Sequence, residues 1–166
     1  QEDAEKLREM ILPIAFNNTE DAVEILDIEG NNLLSIRRDL TAAVSQYQFE
    51  KGGNELSKFQ FVQNVLNQEV DGQGDKHAGL IPAGNATYLY VAGPIKDDQG
   101  NMIGIVMVGK SIKDLLVEFR AQTLSQVTIY DFDGSVFSST LIDPPAVEPE
   151  IVDRVINNQE LETLNR

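Results

Sequence analysis

Thr87-Tyr-Leu-Tyr-Val-Ala-Gly-Pro-Ile-Lys-Asp-Asp-Gln-Gly-Asn-Met-Ile-Gly-Ile-Val-Met-Val-Gly109 is the stretch on which the fold turns. Thr87 to Ile95 is rich in β-branched and aromatic residues and reads as a strand. Pro94 cannot donate to a ladder, so it places the far end of that strand at an edge. Lys96 to Asn101 supplies turn residues, and Met102 to Gly109 returns as a second, mostly apolar strand. Beyond it, Ile112, Leu115, Leu116 and Phe119 recur at helical spacing. Strand, turn, strand and amphipathic helix in that order predict an α+β fold with an antiparallel sheet.

Upstream, Leu7, Met10, Ile11 and Ile14 predict an amphipathic helix over residues 2–16, with Pro13 expected to kink or end it. Two apolar runs, Ala22 to Glu29 and Leu33 to Ile36, flank a Gly/Asn turn and predict a β-hairpin. Leu56, Phe59, Val62 and Leu66 return to helical spacing over residues 54–68, and residues 71–86 read as a long loop. Downstream, Val127 to Thr140 repeats the hairpin pattern, and Pro149 opens a short final helix. Val23-Glu-Ile-Leu-Asp-Ile-Glu-Gly30 and Val127-Thr-Ile-Tyr-Asp-Phe-Asp-Gly134 share Val, Ile, Asp and Gly in register. Either both are hairpins with similar turn chemistry, or the chain carries two copies of one α+β unit, the second incomplete. The second reading divides it into a stalk helix at 1–19, a first unit at 20–122 and the start of a second at 123–166.

The 166 residues are 42% hydrophobic, enough for a packed core. Twenty-seven acids against 13 bases give a net charge of −14, and such a chain is not expected to bind nucleic acid. The charge sits at the ends: residues 2–29 hold nine acids and two bases, whereas 30–142 hold twelve and nine. No cysteine is present, so disulfides, thiolate metal sites and Cys nucleophiles are excluded. A single histidine excludes a multi-His metal site. No apolar run approaches the roughly 20 residues that span a bilayer. The start at Gln1 suggests an excised fragment.

Gly104-Ile-Val-Met-Val-Gly109-Lys110-Ser111 matches the G-x-x-x-x-G-K-S pattern of a phosphate-cradling loop. Its Ile-Val-Met-Val filling is strand-forming, and a turn precedes its first glycine, so the context such a loop needs is missing. His77 reads as a solvated loop histidine, and Asn17 and Asn85 open chance glycosylation sequons. Tyr88 and Tyr90 fall on one strand face; with Lys110 at the end of the neighbouring strand they form a candidate small-ligand pocket. Tyr47 and Phe59, beside Phe49, add aromatic candidates. No catalytic constellation emerges, and neither metal nor cofactor is expected.

The order of these elements, with Tyr90-Val-Ala-Gly-Pro94 and Gly100-Asn-Met-Ile-Gly104-Ile-Val-Met-Val-Gly109 as its most specific part, resembles a double Cache domain. These are PAS-like extracytoplasmic sensor modules of prokaryotic membrane receptors. The resemblance implies a periplasmic or extracellular location and flanking membrane helices. It also implies a small-molecule ligand, a homodimer, and an output module of the nucleotide cyclase, histidine kinase or chemoreceptor type. Amino-acid-binding members carry a Trp, and an Asp at the junction that Gly109-Lys110-Ser111 occupies here. The substitution of Lys110 implies an anionic ligand rather than an α-amino acid. Two rivals are a cytoplasmic PAS-like dimerisation module without ligand and a nucleotide binder.

Overall fold

A computed structural model describes residues 2–40, 46–50, 52–83 and 86–157. The chain divides into two compact units, Gln1–Ser111 and Ile112–Arg166. The first opens with helix α1 (Glu2–Asn17), which runs through Pro13 instead of ending there. Strands β1 (Ala22–Leu26), β2 (Asn32–Arg38) and β3 (Tyr47–Glu50) follow, then a 3-10 turn (Glu55–Lys58) and helix α2 (Gln60–Leu66). Strands β4 (His77–Ala83), β5 (Ala86–Lys96) and β6 (Met102–Ser111) complete it. All pair antiparallel in the order β3-β2-β1-β6-β5-β4, so the first and last strands meet at the centre.

Both faces of the sheet carry apolar residues, because the central strands are near-continuous apolar runs whose side chains alternate between the faces. On one face Leu7, Ile11 and Leu12 of α1 pack against Ile25, Leu34 and Ile36, and the Arg8 guanidinium lies 3.9 Å from the centre of the Phe49 ring. On the other, Leu56 of the 3-10 turn and Phe61, Val62 and Val65 of α2 cover Ala22, Leu26, Tyr88, Tyr90, Ala92, Ile105 and Met107.

The first unit departs from the sequence expectation at further points. The helix expected over 54–68 breaks at Phe59, whose extended backbone (φ −77°, ψ 134°) separates the 3-10 turn from α2. The loop expected over 71–86 is a tight turn at Asp71–Gly74 followed by β4. His77 opens that strand and is buried rather than solvated, because it pairs with Ala92 at the covered face. The sequon at Asn85 lies outside the described residues, as do 158–166 of the acid-rich end.

The second unit contains α3 (Ile112–Thr123), a hairpin of β7 (Thr128–Tyr130) and β8 (Val136–Ser139), and α4 (Pro149–Asn157). Thr128 and Ser139 join their hydroxyls across the hairpin at 2.7 Å. The hairpins β1–β2, β5–β6 and β7–β8 share one turn. The backbone N–H groups of Asp27, Asp97 and Asp131 each donate to the carbonyl of the residue four places on, and Gly30, Gly100 and Gly134 sit at φ 84°, 86° and 82°. Only glycine adopts that conformation without strain, hence the recurrent Asp-x-x-Gly. The third copy, at Asp97, shows that this motif marks a type of hairpin as well as the two stretches that resemble each other. No described helix is long and apolar enough to cross a membrane.

Candidate functional site

The covered face of the sheet is mostly apolar, and charge is buried at its centre. Glu24 is the middle residue of β1 and is fully inaccessible. Its Oε1 accepts from Arg37 Nε at 2.8 Å and from the Tyr90 hydroxyl at 2.9 Å; Asn32 Nδ2 lies 3.5 Å from Oε2. The strand register explains the meeting. Ser35 is paired with Glu24 and Arg37 with Ala22, so both share its face, and β5 places Tyr90 opposite Gly109 of β6. A Cβ on Gly109 would lie 2.6 Å from the Tyr90 ring, so glycine there lets the phenol cross β6 toward β1.

This arrangement perturbs both of Glu24's partners. Burial raises the Tyr90 phenol, and the neighbouring Glu24 carboxylate raises it further, well beyond the ordinary range. Burial alone would lower the Arg37 guanidinium, but the Glu24 charge outweighs it and the net direction is upward. Ser35 Oγ and Asn32 Oδ1 are buried beside this pair without a hydrogen-bond partner among the described residues. A buried polar atom left unsatisfied costs about 1–3 kcal/mol, so these two atoms mark where a donor or a water is called for. Arg37 retains 26% side-chain exposure, and its Nη1 lies 4.0 Å from the exposed Glu50 carboxylate.

The five residues singled out from sequence separate onto the two faces. Tyr88, Tyr90 and Phe59 belong to the covered face, with the two tyrosine rings 6.0 Å apart. Lys110 lies between Gly109 and Ser111 in β6 and therefore points to the opposite face, where its Nζ donates to the Thr19 carbonyl at 2.9 Å. Tyr47 is on that face too, with its hydroxyl on the Glu20 carbonyl at 3.0 Å. Among the described residues the cation of the tyrosine face is thus Arg37, and its carboxylate is Glu24. Neither was singled out from sequence, although an acid at the centre of the apolar run Ala22-Val-Glu-Ile-Leu26 is a readable signal.

A separate open depression of about 420 Å³ is lined by Gln60, Asn64, Asp71, Lys76 and His77. His77 Nε2 lies 3.0 Å from the Glu69 carbonyl, and Nδ1 lies 3.7 Å from Asp71 Oδ2. The G-x-x-x-x-G-K-S match at Gly104–Ser111 falls inside the continuous strand β6, whose backbone groups are committed to β1 and β5. No phosphate loop forms there, so the motif match lends no support to the nucleotide-binding reading.

Comparison with known proteins fits this geometry. No curated protein matches the chain in sequence. Among solved structures, a domain of a protein assigned to the sensory box/GGDEF family from Vibrio parahaemolyticus is similar at TM-score 0.62 and 14% identity. That match covers 84% of this chain and 55% of that one. The extracellular domain of vpHK1S-Z8, assigned as a histidine kinase, is similar at 0.61 and 14%, covering 81% and 50%. The periplasmic sensory domain of the Campylobacter jejuni chemoreceptor Tlp1 is similar at 0.51 and 13%, covering 80% and 55%. The chain spans about half the length of these structures. Residues 1–144 match the profile of dCache_3, the double sensory domain of two-component sensor kinases, and the chain belongs to that family.

Proposed function

We propose that the chain is the extracytoplasmic, ligand-sensing part of a membrane-bound signal transduction protein. On this reading the tyrosine face receives a small molecule, and helix α1 carries the change toward the membrane. One observation supports it most: a sensory-family sheet buries the Glu24 carboxylate, paired with the half-buried Arg37, beside two tyrosines and two polar atoms that no described residue satisfies. A buried ion pair is a poor source of stability compared with packed apolar side chains. Its presence at the centre of the covered face is therefore better explained by recognition.

The ligand class follows from the groups on that face. An anionic molecule was expected from Lys110, which points away. Among the described residues Arg37 is the cation on that face, and it is flanked by Glu24 and Glu50. A small polar molecule carrying hydrogen-bond donors as well as an acidic group suits this mixed set. The carboxylate of Glu24 also removes the reason for excluding ligands with an ammonium group. The expected homodimer is supported by Met10, Ile14 and Phe16, which are exposed on α1.

Native mass spectrometry of the purified chain, followed by thermal shift against polar small molecules, tests the proposal. A retained or added molecule that raises the midpoint, and fails to do so in Glu24→Gln, is the expected result. Shifts identical in the variant would place binding elsewhere.

A further inference from the structure

Gly109-Lys110-Ser111, which the sensing face does not use as a phosphate loop, touches both faces of the sheet at once. Gly109 lies under the Tyr90 ring, and Ser111 is the cross-strand partner of Tyr88. Lys110, between them, reaches through to the other side and donates to the carbonyl of Thr19.

Thr19 is where α1 ends. Its N–H donates to the Phe16 carbonyl, and the Glu20 N–H donates to the Ala15 carbonyl. With Thr19 at φ 54°, this is a Schellman C-cap built on a β-branched residue in the left-handed region. Such a cap is strained and needs support from its surroundings. The support comes from the sheet. Lys110 of β6 holds the Thr19 carbonyl, and Tyr47 of β3 holds the Glu20 carbonyl. The Asp21 carboxylate accepts from Arg38 Nε of β2 and from the Ser111 backbone N–H, each at 2.8 Å. The last turn of α1 has no basic residue of its own, so Lys110 also supplies the cation that a helix C-terminus favours.

We propose that Gly109-Lys110-Ser111 is the coupling segment between the tyrosine face and helix α1, with Lys110 and Tyr47 as positioning residues that hold the strained α1 cap. A displacement of the Tyr90 or Tyr88 ring bears on residues 109 and 111, and the residue between them releases or tightens the cap. The proposal rests on the tyrosine face being the sensing face, but its test needs no ligand.

Hydrogen exchange of the whole chain reads it directly. In Lys110→Met the amides of the last turn of α1 and of residues 18–20 exchange about tenfold faster, while those of β1 and β5 keep their protection. Gly109→Ala, which pushes on the Tyr90 ring, accelerates the same α1 amides in the Lys110 background and adds nothing in the Lys110→Met background. Should Gly109→Ala not fold, Tyr90→Leu takes its place in the cycle. Unchanged α1 exchange in Lys110→Met overturns the proposal, and so does an equal effect of the face mutation in both backgrounds. Acceleration spread uniformly over β1 and β5 would make Lys110 a general stabiliser and overturn it as well. Because no ligand enters the cycle, a face that binds nothing leaves its outcome intact. A face that binds a ligand while the cycle is additive removes the coupling alone.

Discussion

The Tyr90 hydroxyl donates to Glu24 Oε1 at 2.9 Å, joining β5 to β1 across the intervening strand β6. The phenol makes that reach by lying over Gly109, the one position of β6 beneath it that has no side chain. Gly109→Ala therefore lifts the ring and breaks the bond. Overpacking of this kind costs about 1–3 kcal/mol. The urea midpoint should fall accordingly, and a midpoint equal to the parent's would mean the ring does not depend on Gly109.

Tyr90 and Arg37 donate to the same carboxylate oxygen, yet their removal is expected to differ. Tyr90→Phe deletes a neutral donor and leaves the ion pair, a loss of about 1 kcal/mol. Arg37→Met leaves Glu24 charged and inaccessible, which costs about 3–5 kcal/mol for a fully buried pair. The partial exposure of Arg37 places the expected loss toward the lower figure. Denaturant unfolding of the two variants ranks them. A Tyr90→Phe loss larger than that of Arg37→Met would refute the electrostatic account of the cluster.

What could be read in the sequence was whatever local chemistry determines. The Asp-x-x-Gly turns announce their hairpins because the aspartate carboxylate accepts from nearby backbone N–H groups and glycine takes the positive φ. The core strands β1 and β6 and helix α3 carry their apolar pattern openly. β4 does not: His77-Ala-Gly-Leu-Ile-Pro-Ala83 contains Gly and Pro and pairs on one side only, so tertiary pairing rather than propensity makes it a strand. The same limit applied to the candidate site. That Tyr88 and Tyr90 share a face followed from strand periodicity. That Lys110 points away from them depended on the register Tyr90↔Gly109, which no local feature sets. Glu24 and Arg37 were visible as charges within or beside apolar runs, but their meeting required β1 and β2 to be aligned.

Thr19 holds φ 54° at the C-cap of α1, where glycine is the usual occupant. Thr19→Gly relieves the strain while its carbonyl remains available to Lys110. A gain of about 0.5–1 kcal/mol is expected, reduced by the greater chain entropy of the unfolded glycine variant. Thermal unfolding checks the sign. A lower midpoint in Thr19→Gly would mean the threonine side chain contributes more than its backbone strain costs.

The acid limb of stability should depend on the turn aspartates. The Asp97 carboxylate accepts from Asn101 Nδ2 at 3.0 Å and from the backbone N–H groups of Asn101 and Gln99 at 2.8 and 2.9 Å. These bonds, the Asn101 side chain first, hold its pKa below the ordinary 3.8. At Asp27 burial alone would raise the pKa, but the bonds from Asn31 and Glu29 outweigh it and the direction is again downward. Both groups favour the charged form in the folded state, so their contribution is present above the unfolded value and disappears as pH falls through the lower folded one. Neither contributes any slope between about pH 5 and 7. Carboxyl titration followed by NMR should show the Asp97 midpoint below 3.8, and Asn101→Ala should move it upward while leaving Asp27 unchanged. A parent midpoint at or above the ordinary value would show that the turn's hydrogen bonds do not favour the carboxylate in solution.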